Sequence, residues 1–418
     1  MGAPCSRNKR SGQIGTMSDP EHPIHEVVGP DLSAGEAASA LSFGVVSLLF
    51  AGVLPALFGA LGDEGRFDTA AFGQSAALEA LSMGISTSLA GILLPPGRLR
   101  LLGLAVTIAL ATTDFAAIGR GQGAIIALRA LAGVWEGILL WISVGMIARS
   151  ETPERWAGVF FTGSTSAQLV LALAFALYVI PRFGADGGFA LLGMSTLLGV
   201  AGVAWCPDRY GALPGSEGAA GSPPFRGWVA LFATLIYVAS GGAVAAYLQP
   251  LAHQAGLSAD VARTAVWMSL AAQIAGAAAA TAMAGRLRYL TAFLVSSVVF
   301  LANWAIMGMS VVGWLFIASN TIAGFFSVFV APFLVPMTIE ADPSRRAAVQ
   351  SAGAQLLAGA LGPFASSYIV SAQNVRGALI LGAGFLITGL AVIIGLHFVA
   401  VRERSLARES GTFMQIGR

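Results

Sequence analysis

Twelve mostly apolar stretches follow one another between the polar ends of this 418-residue chain. They are 37–61, 70–94, 99–119, 123–148, 157–180 and 187–206, then 227–250, 262–284, 289–309, 311–338, 347–370 and 377–401. A helix needs roughly 20 such residues to cross a bilayer. In lipid every backbone amide must find its partner within a helix or a closed barrel. Barrel strands would alternate over segments of about 10 residues, and these stretches do not alternate. The expected fold class is therefore an all-α integral membrane protein with twelve transmembrane helices. Composition closes the soluble alternative, since 56% of residues are hydrophobic and 11% charged, where soluble domains carry about 25% charge. Two cysteines, Cys5 and Cys206, exclude a disulfide scaffold, and a net charge of +2 gives no footprint for nucleic acid.

The longest polar interruption, 207–226, is rich in Gly, Pro and Ser and divides the spans six and six. The expected organisation is a disordered tail over 1–36, a six-helix bundle over 37–206, this linker, a second bundle over 227–401 and a polar tail over 402–418. Met17 opens a second plausible start, and His22 and His25 on the first tail are read as bland rather than as metal ligands. With both termini in the cytoplasm, seventeen basic residues fall on the inner side, against Arg66, Arg120, Arg182, Arg263 and Arg376 outside. That bias sets the expected orientation. The halves also echo each other. Gly97-Arg98-Leu99-Arg100 is answered by Gly285-Arg286-Leu287-Arg288, Ala132-Gly133 by Ala323-Gly324, Pro153 and Arg155 by Pro343 and Arg345, and Ala167-Gln168-Leu169 by Ala354-Gln355-Leu356, all at nearly one offset.

Two parallel six-helix halves joined by a cytoplasmic linker resemble the major facilitator superfamily over about residues 37–401. The family's signature between the second and third spans reads here Gly91-Ile-Leu-Leu-Pro95-Pro96-Gly97-Arg98-Leu99-Arg100. Its glycine and arginines remain, and proline stands in place of the acidic residue. The fourth span, Arg129-Ala-Leu-Ala-Gly133-Val-Trp135-Glu136-Gly137, is similar to the family's motif of an arginine followed by spaced glycines. The fifth span lacks the Gly-Pro motif of drug/proton antiporters. The resemblance implies two pseudo-symmetric bundles and alternating access. It also implies a gating role for Gly91, Gly97, Arg98 and Arg100 with their counterparts Gly285, Arg286 and Arg288.

An ionised side chain in mid-membrane is costly, so it needs a partner or a task. Seven residues return a helix to within about 20° of the same face, so Arg129, Gly133 and Glu136 share one face of the fourth span. Glu79 in the second span lies at a depth comparable to that of Arg129. Glu79 and Glu136 are the expected proton-coupling groups, and Arg129 is the expected contact for a solute carboxylate. Asp114 and His397, near span ends, are expected at the interface. The second half carries no ionised group deep in a span. It offers amides and rings, from which Tyr237, Trp267, Asn303, Asn320 and Gln355 are read as solute contacts, with Trp135 and Gln168 in the first half. Asn320 occupies the position that answers Arg129.

The function expected from these features is proton-coupled symport of a small organic solute, an organic or aromatic acid, by alternating access. The alternatives are efflux of hydrophobic compounds and, in a different class, a membrane enzyme acting on lipid-linked substrates. The enzyme is disfavoured because Asp-rich diphosphate motifs, phosphate-cradling loops and Cys/His clusters are absent from the sequence. No cofactor and no metal are expected. The expected partners are solute, proton and bilayer, the expected state a monomer, and the expected location the inner membrane of a bacterium.

Overall fold

A computed structural model describes residues 33–67, 69–211, 213, 222–309, 312–370 and 374–416. The readings made for residues 1–32, including Met17, His22 and His25, lie outside them, as does the middle of the linker. Among the described residues, ten segments are helices long and apolar enough to cross a membrane. One of these, Pro153–Val203, has 51 residues, about 76 Å if straight, which is more than twice the hydrocarbon core. It turns back at Gly184 (φ 61°, ψ −160°), a backbone conformation open to glycine, and so supplies two passes. The helix Arg346–Ser367 supplies the twelfth. Its Gln350, Ser351 and Gln355 dilute its hydropathy, but it packs along Phe225–Ala245, which opens the second half, and along Thr69–Leu93 of the first.

The helices are α1 (Ala34–Ser47 and Leu49–Asp63, meeting at Leu48), α2 (Thr69–Leu93), α3 (Leu99–Ala116), α4 (Gln122–Arg149), α5 (Pro153–Ala174) and α6 (Ile180–Leu197). The second half holds α7 (Phe225–Ala245), α8 (Ala259–Met283), α9 (Tyr289–Gly308), α10 (Gly313–Val330, continued by Leu334–Ala341), α11 (Arg346–Ser367) and α12 (Gly377–Ile416). Three boundaries differ from the sequence reading. α1 begins inside the expected tail, because Ser33 and Glu36 form a reciprocal capping box. α12 runs on through most of the expected polar tail. The start of the linker is docked, with Tyr210 Oη donating to Ile142 O at 2.8 Å and Leu99 N to Asp208 O at 2.9 Å.

The duplication is physical. Gly133 of α4 lies directly on Glu79 and Ser82 of α2, and its counterpart Gly324 of α10 lies on Ser269 of α8. Missing side chains at matched positions let matched helix pairs touch backbone to backbone. At the face away from the termini, Arg66 ties the first half together. It donates to Asp186 Oδ1 at 2.7 Å and to Arg120 O at 2.8 Å, and Asp186 also accepts from Gly119 N at 2.9 Å. The halves meet between the midplane and the opposite face, which carries the linker. There Gly84 of α2 abuts Leu357 and Gly353 of α11, and Gly158 of α5 abuts Thr281 of α8.

Candidate functional site

The close approach of α4 to α2 also builds a charged centre. A Cβ on Gly137 would stand 2.8 Å from Ser86 Cβ and 2.9 Å from Thr87 N, so glycine is what lets Glu79 reach Arg129. Arg129 donates from Nε to Glu79 Oε2 at 2.9 Å and from Nη2 to Glu79 Oε1 at 2.5 Å, a two-point contact. Nη2 also donates to Glu136 Oε1 at 2.9 Å, and Nη1 to Asp114 Oδ1 at 2.7 Å. Phe50 of α1 covers the guanidinium with its ring centre 3.7 Å from Cζ. Thr196 of α6 donates to Asp114 Oδ2 at 3.1 Å. Arg129 is 1% exposed, and its three acidic partners are buried with it.

Two expectations change here. Asp114, read as interfacial, is a full member of the centre, because α6 covers it and the long arginine side chain reaches across to it. Arg129 is tied into four hydrogen bonds with the protein's own carboxylates, which leaves at most one of its five donors free. It therefore presents no open fork to a solute carboxylate in this arrangement.

The second half uses the equivalent place differently. Asn320 stands seven residues into α10, as Arg129 stands seven into α4. Around it is a cavity of about 320 Å³ lined among others by Tyr237, Gln273, Asn303, Asn320, Phe300 and Trp304. The last two stack with ring centres 6.0 Å apart and planes 15° apart. Asn303 is buried, and its Oδ1 has no hydrogen-bond partner, while its Nδ2 reaches only Met307 Sδ at 3.6 Å. Asn320 Nδ2 donates to Phe316 O at 2.8 Å, and Tyr237 Oη pairs with Ser297 Oγ at 3.1 Å. No Asp, Glu, His, Lys or Arg is among the lining residues.

Of the solute contacts read from the sequence, the structure thus brings Tyr237, Asn303 and Asn320 to one cavity. Trp267 is 47% exposed and does not line it, and Gln355 lies half-buried outside it. Trp135 keeps its indole Nε1 buried without a partner in the first half. Gln168 serves the fold, since its Nε2 donates at 2.8 Å to the carbonyl of Leu48, where α1 breaks. His397 is not simply interfacial. It faces Glu340 Oε1 at 3.1 Å and Tyr289 Oη at 2.8 Å, joining the start of α9 and the end of α10 to the middle of α12.

The gating residues divide. Gly91 lies against Val349 and Gln350 of the other half, with room for nothing larger than a shifted methyl. Gly97 pairs with Arg209, and Arg100 Nε donates to Cys206 O at 2.5 Å, so this loop is spent on its own half. Arg98, Arg286 and Arg288 are exposed. The sequence reading did not single out Arg345 for contact with the other half. Its Nη1 donates to Ala148 O and Ser150 O, both at 2.9 Å, at the C-terminal end of α4. Those carbonyls are the negative end of a helix dipole. Burial lowers the guanidinium's pKa from its ordinary value. The backbone of Arg345 is left-handed (φ 58°), which costs a side-chain-bearing residue about 1–2 kcal/mol. Asp342 holds the turn by accepting from Ser344 N at 3.0 Å and from Ala347 N at 2.8 Å. Arg345→Ala is expected to release this face. Spin labels at Arg155→Cys and Arg286→Cys, on a background without the native cysteines, should then show a new population at longer distance. An unchanged distance distribution would mean that the bond does not hold the halves together.

No protein-family model and no curated protein sequence matches the chain. Solved structures do. The human organic anion transporter MFSD10 aligns with a TM-score of 0.66 and 13% identity over 87% of this chain and 100% of its own. FucP, a major facilitator superfamily transporter in the outward conformation, aligns at 0.69 and 12% over 86% and 98%. A second structure of that protein, the E. coli fucose:proton symporter, aligns at 0.64 and 13% over 86% and 98%. At such identities the likeness speaks for the fold. Together with the twelve helices, the paired bundles and the buried centre in the fourth helix, it establishes that this chain has the major facilitator superfamily fold.

Proposed function

We propose that this chain is a proton-coupled secondary transporter whose first half carries the proton and whose second half carries the solute. The observation behind this reading is the ratio in the buried centre, where one guanidinium meets three carboxylates. Fully ionised, the centre would hold two uncompensated negative charges in a water-poor interior, which is far costlier than taking up protons. Glu79 accepts two bonds from Arg129, and Asp114 is held by Arg129 and Thr196, whereas Glu136 accepts a single bond from Arg129, through a nitrogen it shares with Glu79. Glu136 is the carboxylate that exchanges its proton, and Glu79 is the clamp that positions Arg129. The fold shared with a fucose:proton symporter supports coupling of this kind.

The solute is uncharged where it meets the second half. Amides, hydroxyls and a stacked ring pair line the cavity, and an acid would find no cation among its lining residues. This moves the expected substrate away from an organic acid, because that expectation needed a free Arg129. Contacts between the halves lie toward the linker face, so this arrangement is open toward the other side. The test is calorimetric binding of paired solutes, each acid with its amide and its alcohol, to the purified protein. The neutral member should bind more tightly, and Asn303→Ala should weaken it roughly 5- to 100-fold, the equivalent of about 1–3 kcal/mol for an unmet buried polar group. Tighter binding of the acid would return the solute to the first half.

A further inference from the structure

The first half contains an apolar crevice of about 740 Å³ between α5 and α6, floored by α1. Its floor is one face of α1, from Ala38 through Leu41 and Val45 to Leu49. That face runs about 16 Å at 1.5 Å per residue, the depth of one leaflet of a hydrocarbon core roughly 30 Å thick. Val159, Gly163, Ala167 and Val170 of α5 form one wall, and Leu191 of α6 with Leu198, at its C-terminal end, form the other. The rims are continuous with the outward surface, since Val170 is 69% and Leu198 75% exposed. At the linker-side end stand exposed Arg155, one turn before Val159, and exposed Trp205, just past α6. Aromatic and basic side chains of this kind mark the level of lipid headgroups.

The crevice is not a general consequence of the fold. In the second half the corresponding helices α7, α11 and α12 close up. A Cβ on Gly362 of α11 would stand 2.6 Å from Ala243 N, and one on Gly389 of α12 would stand 2.9 Å from Tyr237 Cα, both on α7. In the first half, Gly163 of α5 faces Val45 at 3.6 Å instead, and the helices splay. An apolar gap that opens on lipid cannot hold water at no cost, because its walls offer too few polar partners.

We propose that this crevice is a binding site for one acyl chain of a phospholipid from the leaflet on the linker side. The chain lies along α1 as far as Leu49, beside the break at Leu48 that Gln168 clamps from α5. An ordered lipid tail thereby supports the break in α1 at the point where α1 and α5 are tied.

The test uses the full chain in phosphatidylcholine vesicles containing a minor fraction of phosphatidylcholine with a photoactivatable diazirine in its acyl chain. After irradiation, labelled peptides are mapped by mass spectrometry. Label should concentrate on residues 41–49 and 159–174 and be sparse on the closed counterpart at α11 and α12. Gly163→Leu and, separately, Ala167→Phe fill the space. In each variant that remains monodisperse, label on these residues should fall roughly tenfold, as expected of a steric block, while the baseline label on exposed Val298 of α9 stays unchanged. Uniform labelling of the lipid-facing surfaces of both halves, or labelling of the crevice that survives both substitutions, would overturn the site.

Discussion

Arg129→Leu is expected to be the most damaging single substitution in this protein. It leaves three buried carboxylates around an apolar side chain, where each had a charge-assisted bond before. Removing one partner of a buried ion pair costs about 3–5 kcal/mol, a large fraction of the roughly 5–15 kcal/mol that holds a typical domain folded. The variant should lose its monodisperse state in detergent or unfold at a much lower temperature by tryptophan fluorescence. Arg129→Lys should fall between, because one ammonium cannot reproduce the two-point contact with Glu79 and still reach Asp114. The decisive control removes the charges together. Arg129→Leu combined with Glu79→Gln, Asp114→Asn and Glu136→Gln should recover part of the lost stability. A single Arg129→Leu variant as stable as wild type would mean that the centre contributes nothing to the fold.

Glu136→Gln should have the largest effect on coupling with the smallest effect on stability. The amide oxygen of glutamine can still accept from Arg129 Nη2, so the centre stays assembled. It can no longer take up and release a proton. With one proton per solute, an inward gradient of one pH unit can drive about tenfold accumulation, since tenfold corresponds to 1.4 kcal/mol. Wild type in proteoliposomes should approach that ratio, and Glu136→Gln should stop at equal concentrations while still exchanging labelled for unlabelled solute. Glu79→Gln should behave differently, since it breaks the two-point contact and lowers stability as well. Full accumulation by Glu136→Gln would move the proton to Asp114 or away from the centre.

The sequence exposed the fold because lipid leaves so few options. Apolar length, a Gly- and Pro-rich midpoint and arginine placement each carry physical information on their own, and they agree. The repeat was legible at Gly133 and Gly324 because a backbone contact tolerates no other residue there. The centre was half legible. Glu136 follows Arg129 by two helical turns and could be placed on its face, but Asp114 comes from another helix near a span end, and sequence distance does not say that α6 covers it. A count would have pointed to it, since three acidic residues in the spans of the first half share a single deep base. Arg345 was hidden for another reason. Its pairing is with backbone carbonyls, which every residue carries, so no side-chain pattern announces it. Gln168 looked like a solute contact because a buried amide does not reveal whether it serves a ligand or a broken helix.

The central claim is that a proton gradient drives solute movement through this chain, and it can be measured directly in wild-type proteoliposomes. The solute is the neutral compound that binds best in the calorimetric series, and an acidic exterior is imposed with the membrane potential clamped at zero. The account predicts accumulation above the external concentration, collapse of that accumulation when a protonophore is added, and alkalinisation of the medium as solute enters. Equilibration of solute to equal concentrations, unaffected by the gradient or the protonophore, would contradict it.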